Sequence, residues 1–422
     1  MSELSDGISD SAEIFVEPVV DSAGSVWAVL FVGNGYAIVR GDPASGTWST
    51  QFEYEGGSAL ILDTKIVIDQ QDNITVAFRA LDDTNELRAL RYSPGGTWEE
   101  ELVYKAISPD FFFQDINAAA DADGNVVVVS MLETSVNRMF AVVYDADNDT
   151  WANPEWISPA ANRIKVPTVV SSREGNSIEA LYLVEGGGSS GMYARTFLSP
   201  SEGWTSPTLV RGTQHAVIPV GGGASDYPVV LDGSGNATVA YYLPIELGAT
   251  TVWLFRATRR VDGIWGKPVT LRVSVGELAY GFIADFGDSD YDEDGNVAIV
   301  FKHQGNAVDP LAVDLWAFQF DAASDTWSTT SIYSNPLDGS QRSRVAFAGT
   351  NRALATYLDA ERFGAASRFY DGEQWLDSIG LPGNPLMASH ETAATRGDVA
   401  MLYQILEEQQ EVEANWFRTT TR

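Results

Sequence analysis

One recurring phrase governs what this chain can fold into. "DADGNVVVVS" at 121–130 returns as "DGSGNATVAYYL" from Asp232 and as "DEDGNVAIVF" from Asp292. Each copy is an acidic residue, a tight turn and then a β-rich strand. Turn centres of this kind fall at Gly24-Ser25, Asp72-Asn73, Gly124-Asn125, Gly175-Asn176, Gly235-Asn236, Gly295-Asn296, Thr350-Asn351 and Gly397-Asp398. In five copies an Asp stands four residues before the second turn residue: Asp21, Asp69, Asp121, Asp232 and Asp292. Gly and Asn tolerate the positive φ that a hairpin demands, and Asp hydrogen-bonds the turn backbone. The phrase is turn chemistry before it is anything else.

A short strand follows each turn, as in "NITVAFRA" and "DVAMLYQI", then a polar loop and a second strand. A further turn leads to Trp48, Trp98, Trp151, Trp204, Trp265, Trp327 or Trp375. The unit is roughly 50 residues of four short strands, A to D, which is the pattern of a β-propeller blade. One such sheet cannot bury its faces alone, so neighbours stack. Eight turns of the first type predict an all-β fold, a single eight-bladed β-propeller of four-stranded blades over residues 1–422. The approximate repeats are 10–60, 61–110, 111–160, 161–215, 216–277, 278–337, 338–384 and 385–422 plus 1–9. The last copy ends on "ANWFRTTTR", read as strand C, with no strand D after it. The segment around Gly7–Ser9 is expected to pair with Trp416–Thr420, so that the N-terminal segment completes the last blade and closes the ring.

Strand C carries a second recurrence. Arg40, Arg91, Arg195, Arg256, Arg368 and Arg418 read as equivalent, with Val143 and Gln319 in the other two copies. Repetition in copy after copy favours a structural arginine, its stem packed between blades and its head on an Asp or a carbonyl, over a ring of anion ligands.

The phrase P-x-V-x-x-D-x-x-G-N-[AV]-x-V, followed by [YF]-x-x-x-[GD]-x-W, resembles tandem repeats of bacterial secreted and surface β-propeller proteins. "PVVLDGSGNATVAYY" and "NAAADADGNVVVVS" carry that resemblance most closely. It implies a scaffold, and one scaffold hosts unrelated functions. The C–D turn is also similar to the Asp-box of sialidase-like propellers. That box places its Asp five residues before the Trp, whereas Asp42, Asp145 and Asp321 stand six before it. No sialidase residue is carried over.

Composition narrows the partners. Lys and Arg number 26 against 58 Asp and Glu, a net charge of −32. That charge repels nucleic acid and anionic membrane surfaces. With no Cys in the chain there is no disulfide, no thiolate chemistry and no Cys-held zinc. No apolar run is long enough to span a membrane, and the first residues lack the form of a signal peptide. An extracellular or cell-surface protein with its leader removed is expected, with the cytoplasm as the alternative, and a monomer in either.

Length variation falls on the D–A and B–C loops, and irregular loops on a rigid scaffold are where binding sites form. The ligand-binding candidates are therefore His215, Asp226, Tyr227, Tyr280 and His303, with the Phe111, Phe112 and Phe113 run. The chain has three His in all, and His390 at the start of an A strand is the third. An imidazole beside Tyr227 or Tyr280 would suit acid–base lysis of a polysaccharide; the competing reading is ordinary surface histidines. Consecutive Phe side chains alternate faces on a strand, so the run is either partly exposed or buried beneath a loop. Asp288, Asp290, Asp292 and Asp294 recur at every second position, and on a strand would share a face. Calcium is the cofactor this run raises, against a solvated acidic turn. An EF-hand is excluded, because its twelfth position is Phe301. Two function classes follow. The first is a non-catalytic module binding a glycan or a protein through the loop-bearing face. The second is a carbohydrate-active enzyme, a lyase or glycoside hydrolase, using His, Tyr or carboxylates there.

Overall fold

The computed structural model describes residues 2–3, 13–14, 18–32, 35–42, 44–54, 60–81, 85–106, 112–133, 137–160, 164–172, 175–185, 190–216, 227–247, 250–275, 288–304, 313–335, 343–347, 349–359, 364–380, 387–394, 398–405 and 412–418. Among them every regular element is a strand, and no helix is long and apolar enough to cross a membrane. The chain divides into two compact units, essentially residues 2–210 and 211–422, with Gly233–Gly235 assigned to the first.

The first unit holds four antiparallel meanders, the blades of a β-propeller. Blade one runs Val26–Val32, Gly35–Asp42 and Thr47–Tyr54, with Glu13–Ile14 and Val19–Val20 both pairing with its strand B. Blade two is the most regular: Leu60–Ile68, Ile74–Leu81, Asn85–Tyr92 and Glu99–Lys105. Blades three and four begin at Phe112–Ala120 and Ile164–Ser171, and each splits its strand D into two short pieces. The second unit holds blade five (Val229–Leu231, Ala237–Leu247, Thr250–Val261 and a D strand split into Ile264–Trp265 and Val269–Val275) and blade six (Ser289–Tyr291, Val297–Gln304, Val313–Asp321, Thr326–Asn335). Blade seven runs Arg344–Phe347, Ala353–Asp359, Gly364–Tyr370 and Ile379–Gly380.

The count of eight blades is thereby corrected to seven. Seven sheets are each built from one continuous stretch of chain, whereas the stretch around the eighth turn, at Gly397-Asp398, brings only three consecutive strands of its own, Met387–Ala394, Asp398–Ile405 and Val412–Arg418. A repeated turn marks a hairpin, and a hairpin is half a blade. The proposed closing segment, Gly7–Ser9, lies outside the described residues.

Apolar side chains from facing sheets form the core. Ala77, Leu87 and Ala89 of blade two meet Val126, Val128, Phe140 and Val142 of blade three, and a similar layer joins blades six and seven through Ala298, Val300, Val345 and Ala355. Strands rich in Val, Ala and Ile bury both faces this way, which is why they read as continuous apolar runs rather than alternating ones.

The Asp of the repeated phrase does what turn chemistry asks. Asp121 is 3% exposed. Its Oδ1 accepts the amides of Asp123 at 3.0 Å and Asn125 at 2.8 Å, and its Oδ2 accepts the Asn125 side-chain amide at 2.8 Å. Asp69, Asp232 and Asp292 hold their Asn partners the same way. Gly124 and Gly295 take φ of +88° and +79°, and a Cβ there would come within 3.1 and 3.2 Å of the carboxylates of Asp69 and Asp232, one blade back. Glycine is needed for both reasons. The turn tryptophans pack on the aromatic that ends strand C: Trp98 on Tyr92, Trp151 on Tyr144, Trp204 on Phe197, Trp327 on Phe320 and Trp375 on Tyr370.

Strand register changes the arginine equivalence. Arg40 faces Trp27 and Arg91 faces Thr75, the second residue of strand B in each blade. The matching residues are Val143, Thr196, Arg259, Gln319 and Phe369. Arg195, Arg256 and Arg368 stand an odd number of residues away, so the pleat places them on the opposite face. In the final run the second residue of strand B, Val399, faces Phe417, and Arg418 stands one residue past it. The structural role holds where the register does. Arg40 meets Asp21 at 3.0 Å, and Arg259 meets Asp232 at 3.3 Å with its guanidinium 3.8 Å over Phe320. Arg91 lies 3.3 Å over Tyr144 and 3.4 Å from Asp149.

Candidate functional site

The B–C loop end of blades five and six carries the strongest polar constellation of the second unit. Strands B and C of blade five extend to Leu247 and Thr250, farther than in any other described blade. Between the two blades lies an aromatic layer. Phe255 stacks on Phe301 at 4.4 Å, and Tyr242 lies 5.2 Å from each. Toward the loop end this layer gives way to Trp253, Arg272, Asp314 and Trp316, all half-buried. Arg272, from strand D of blade five, lays its guanidinium 3.8 Å over the Trp316 ring and 3.8 Å from the Asp314 carboxylate. At that separation the pair is ionic rather than hydrogen-bonded.

Several donors here have no acceptor among the described residues: Tyr242 Oη, Trp253 Nε1, Trp316 Nε1 and Arg272 Nε. Burial pushes the Tyr242 hydroxyl well above the ordinary tyrosine value, and Arg272 counters this only in part. A neutral tyrosine hydroxyl can both donate and accept a hydrogen bond. Burial also lowers the Arg272 guanidinium, opposed by Asp314 and Tyr242. Indole faces, a cation and a carboxylate together can stack on the C–H face of a sugar ring while giving and accepting hydrogen bonds with its hydroxyls.

The residues expected from the sequence meet this site unevenly. His303 lies inside strand B of blade six, not after it, and its register partner is Asp314. Tyr227 is 5% exposed at the start of blade five rather than displayed on a loop. His215 is exposed, in a turn with φ of 68°. His390 falls within Met387–Ala394. Asp226, Tyr280 and Phe111 lie outside the described residues, whereas Phe112 and Phe113 open strand A of blade three opposite Glu133 and Leu132. The sequence reading missed Arg272, Asp314, Trp316 and Tyr242, which reside in strands and not in loops.

Three carboxylates of the acidic run accept backbone amides. Asp288 Oδ2 accepts the amide of Val345 at 3.0 Å, Asp290 Oδ2 that of Phe347 at 2.7 Å, and Asp292 Oδ2 that of Asn351 at 2.6 Å. The every-second spacing puts acceptors along one side of strand A of blade six, where they pair with amides of strand A and its turn in blade seven. Asp294 is exposed in the turn. Among the described residues no three His, Asp or Glu side chains are grouped to hold a metal ion.

No family model matches the chain, and no curated protein matches it. The bacterial repeat family that its phrase resembles thus has no sequence match behind it. Among solved structures the chain is similar to the polysaccharide lyase Uly1, at 9% identity and a TM-score of 0.51, covering 98% of this chain and 90% of that one. It is similar to the PL25 ulvan lyase at 12% identity and a TM-score of 0.50, covering 96% and 94%. The BP39L lectin from Burkholderia pseudomallei follows at 12% identity and a TM-score of 0.46, covering 86% and 94%. At such identities the two lyases show a shared fold alone: this chain is an all-β β-propeller.

Proposed function

We propose that this protein binds a glycan at the loop-bearing end of blades five and six, and that the glycan is uncharged. The carrying observation is the half-buried Arg272 laid on Trp316 beside Asp314, with Trp253 next to the same aromatic layer. Arg272 donates and Asp314 accepts, so neighbouring hydroxyls of one sugar satisfy both. A uronate would instead meet Asp314 and a chain of net charge −32. That solved propellers of this fold include polysaccharide lyases and a lectin agrees with a carbohydrate ligand. Non-catalytic binding is preferred over cleavage, because the indole faces, guanidinium and carboxylate at this end are groups that hold a sugar ring and its hydroxyls.

The test is affinity electrophoresis and calorimetry against neutral and uronic-acid polysaccharides, with Trp316→Ala and Arg272→Gln. Each variant is expected to weaken the neutral ligand at least tenfold, about 1.4 kcal/mol. Unchanged affinity in both variants overturns the reading. Release of reducing or unsaturated ends from a bound polysaccharide would show an enzyme instead.

A further inference from the structure

We infer that a second glycan site of the same make lies between blades one and two, so that the protein is bivalent with one site in each compact unit. This rests on the reading of blades five and six as a glycan site.

The inference comes from register. Tyr36 lies five residues before Gly41, the strand C residue that faces the start of strand B, and Phe255 lies five before Arg260 in the same role. Across strand D, Tyr36 pairs with Tyr54 and Phe255 pairs with Arg272. On the next blade, Arg88 pairs with Phe78 and Trp316 pairs with Phe301, each four residues before its strand C anchor, Tyr92 or Phe320. Glu86 and Asp314 both stand two residues earlier. Position for position, the Arg272, Trp316 and Asp314 set reappears as Tyr54, Arg88 and Glu86. The aromatic and the cation have exchanged strands, and the acid has stayed.

The swap extends one layer deeper. Strands B and C of blade five face Tyr242 with Phe255, and those of blade one face Phe31 with Tyr36. Both tyrosines are buried, Tyr36 at 1% and Tyr242 at 5% exposure, and neither hydroxyl has a hydrogen-bond partner among the described residues. Tyr36 stacks on Tyr54 at 5.2 Å, and burial together with the nearby Tyr54 and Glu100 raises its hydroxyl far above the ordinary value.

Equivalent positions at two other described interfaces lack the combination. Between blades two and three they hold Tyr104, Phe140 and Arg138, with no acid. Between blades six and seven they hold Tyr333, Ala366 and Gly364. Cation, aromatic and acid therefore coincide at these two interfaces and at neither of those. At the first, Arg88 is held by Glu86 at 2.6 Å and by Glu100 at 2.5 Å, while Lys105 meets Glu86 at 2.8 Å. Charges are balanced there, as an uncharged ligand requires. Tyr54 and Glu100 remain partly exposed to receive it.

Titration calorimetry on the full chain with neutral gluco-, manno- and xylo-hexasaccharides tests this. Two sugars per chain are expected for whichever oligosaccharide binds. Arg88→Gln combined with Glu100→Gln should reduce the count to one, as should Trp316→Ala alone, and all three together should leave none. Near-UV circular dichroism establishes that each variant is folded, and Tyr54→Phe serves as a second, milder probe expected to weaken one of the two sites. A single site that Trp316→Ala abolishes and the blade-one and blade-two variants leave intact overturns this inference and preserves the first. Binding insensitive to Trp316→Ala, or no binding at all, overturns both.

Discussion

Replacing Arg259 by Met should destabilise the protein far more than replacing Arg256 by Met, although the sequence offers Arg256 as the repeat-equivalent arginine. Arg259 is 13% exposed and lies 3.3 Å from Asp232, whose side chain is 4% exposed. It also reaches the Gly295 carbonyl at 3.4 Å and lies 3.8 Å over the Phe320 ring. Burial lowers its guanidinium and Asp232 opposes that shift, but it stays charged at neutral pH. Breaking a fully buried pair by removing one partner costs about 3–5 kcal/mol. Asp232 keeps its turn hydrogen bonds from Asn236, so part of that cost is relieved. The lost carbonyl contact and ring contact each add roughly 0.5–1 kcal/mol, and the Met stem restores some packing. About 2–4 kcal/mol is the expected total. Among the described residues Arg256 reaches the Pro268 carbonyl at a long 3.5 Å, so about 0–1 kcal/mol is expected there. Urea unfolding followed by tryptophan fluorescence gives the comparison, reading midpoints at constant slope. Equal midpoints for the two variants, or a larger loss for Arg256→Met, would refute the register argument and restore the sequence alignment.

Two further outcomes are expected. Burial raises the carboxyl of Asp121 from its unfolded value of 3.8, with its turn hydrogen bonds opposing. A raised folded value means that the proton is favoured in the native state. The stability gap between wild type and Asp121→Ala should thus be widest near pH 4 and narrow as pH rises through the folded value, read from urea midpoints between pH 4 and 7; a gap that widens with pH contradicts the shift. Asp290→Ala leaves the Phe347 amide unpaired in a buried position, at a cost of about 1–3 kcal/mol, while calcium and a chelator should give wild type the same melting temperature at fixed ionic strength. A calcium-dependent rise would show that the acidic run takes a cation in place of its amides.

The repeated turn was legible because all its chemistry lies within five residues. Asp121 meets the amides of Asp123 and Asn125 with no help from distant sequence, and the glycine demanded by positive φ is written beside them. Blade count was less legible, since a turn at Gly397-Asp398 looks the same whether or not a fourth strand follows. The arginine alignment failed for a sharper reason. Blades four and seven insert one residue, Ser177 or Arg352, between the turn Asn and the first paired residue of strand B. One inserted residue changes which face every later side chain takes. The proposed site also draws on strands, where Arg272 and Asp314 stand 42 residues apart in sequence and 3.8 Å apart in space. Nor could alignment have paired Tyr54 with Arg272, or Arg88 with Trp316, because each pair matches an aromatic to a cation. What the two interfaces keep is the set of chemical groups. A search for conserved letters at fixed spacing passes over such a site, whereas strand pairing finds it, since pairing fixes which groups face one another whatever strand supplies them.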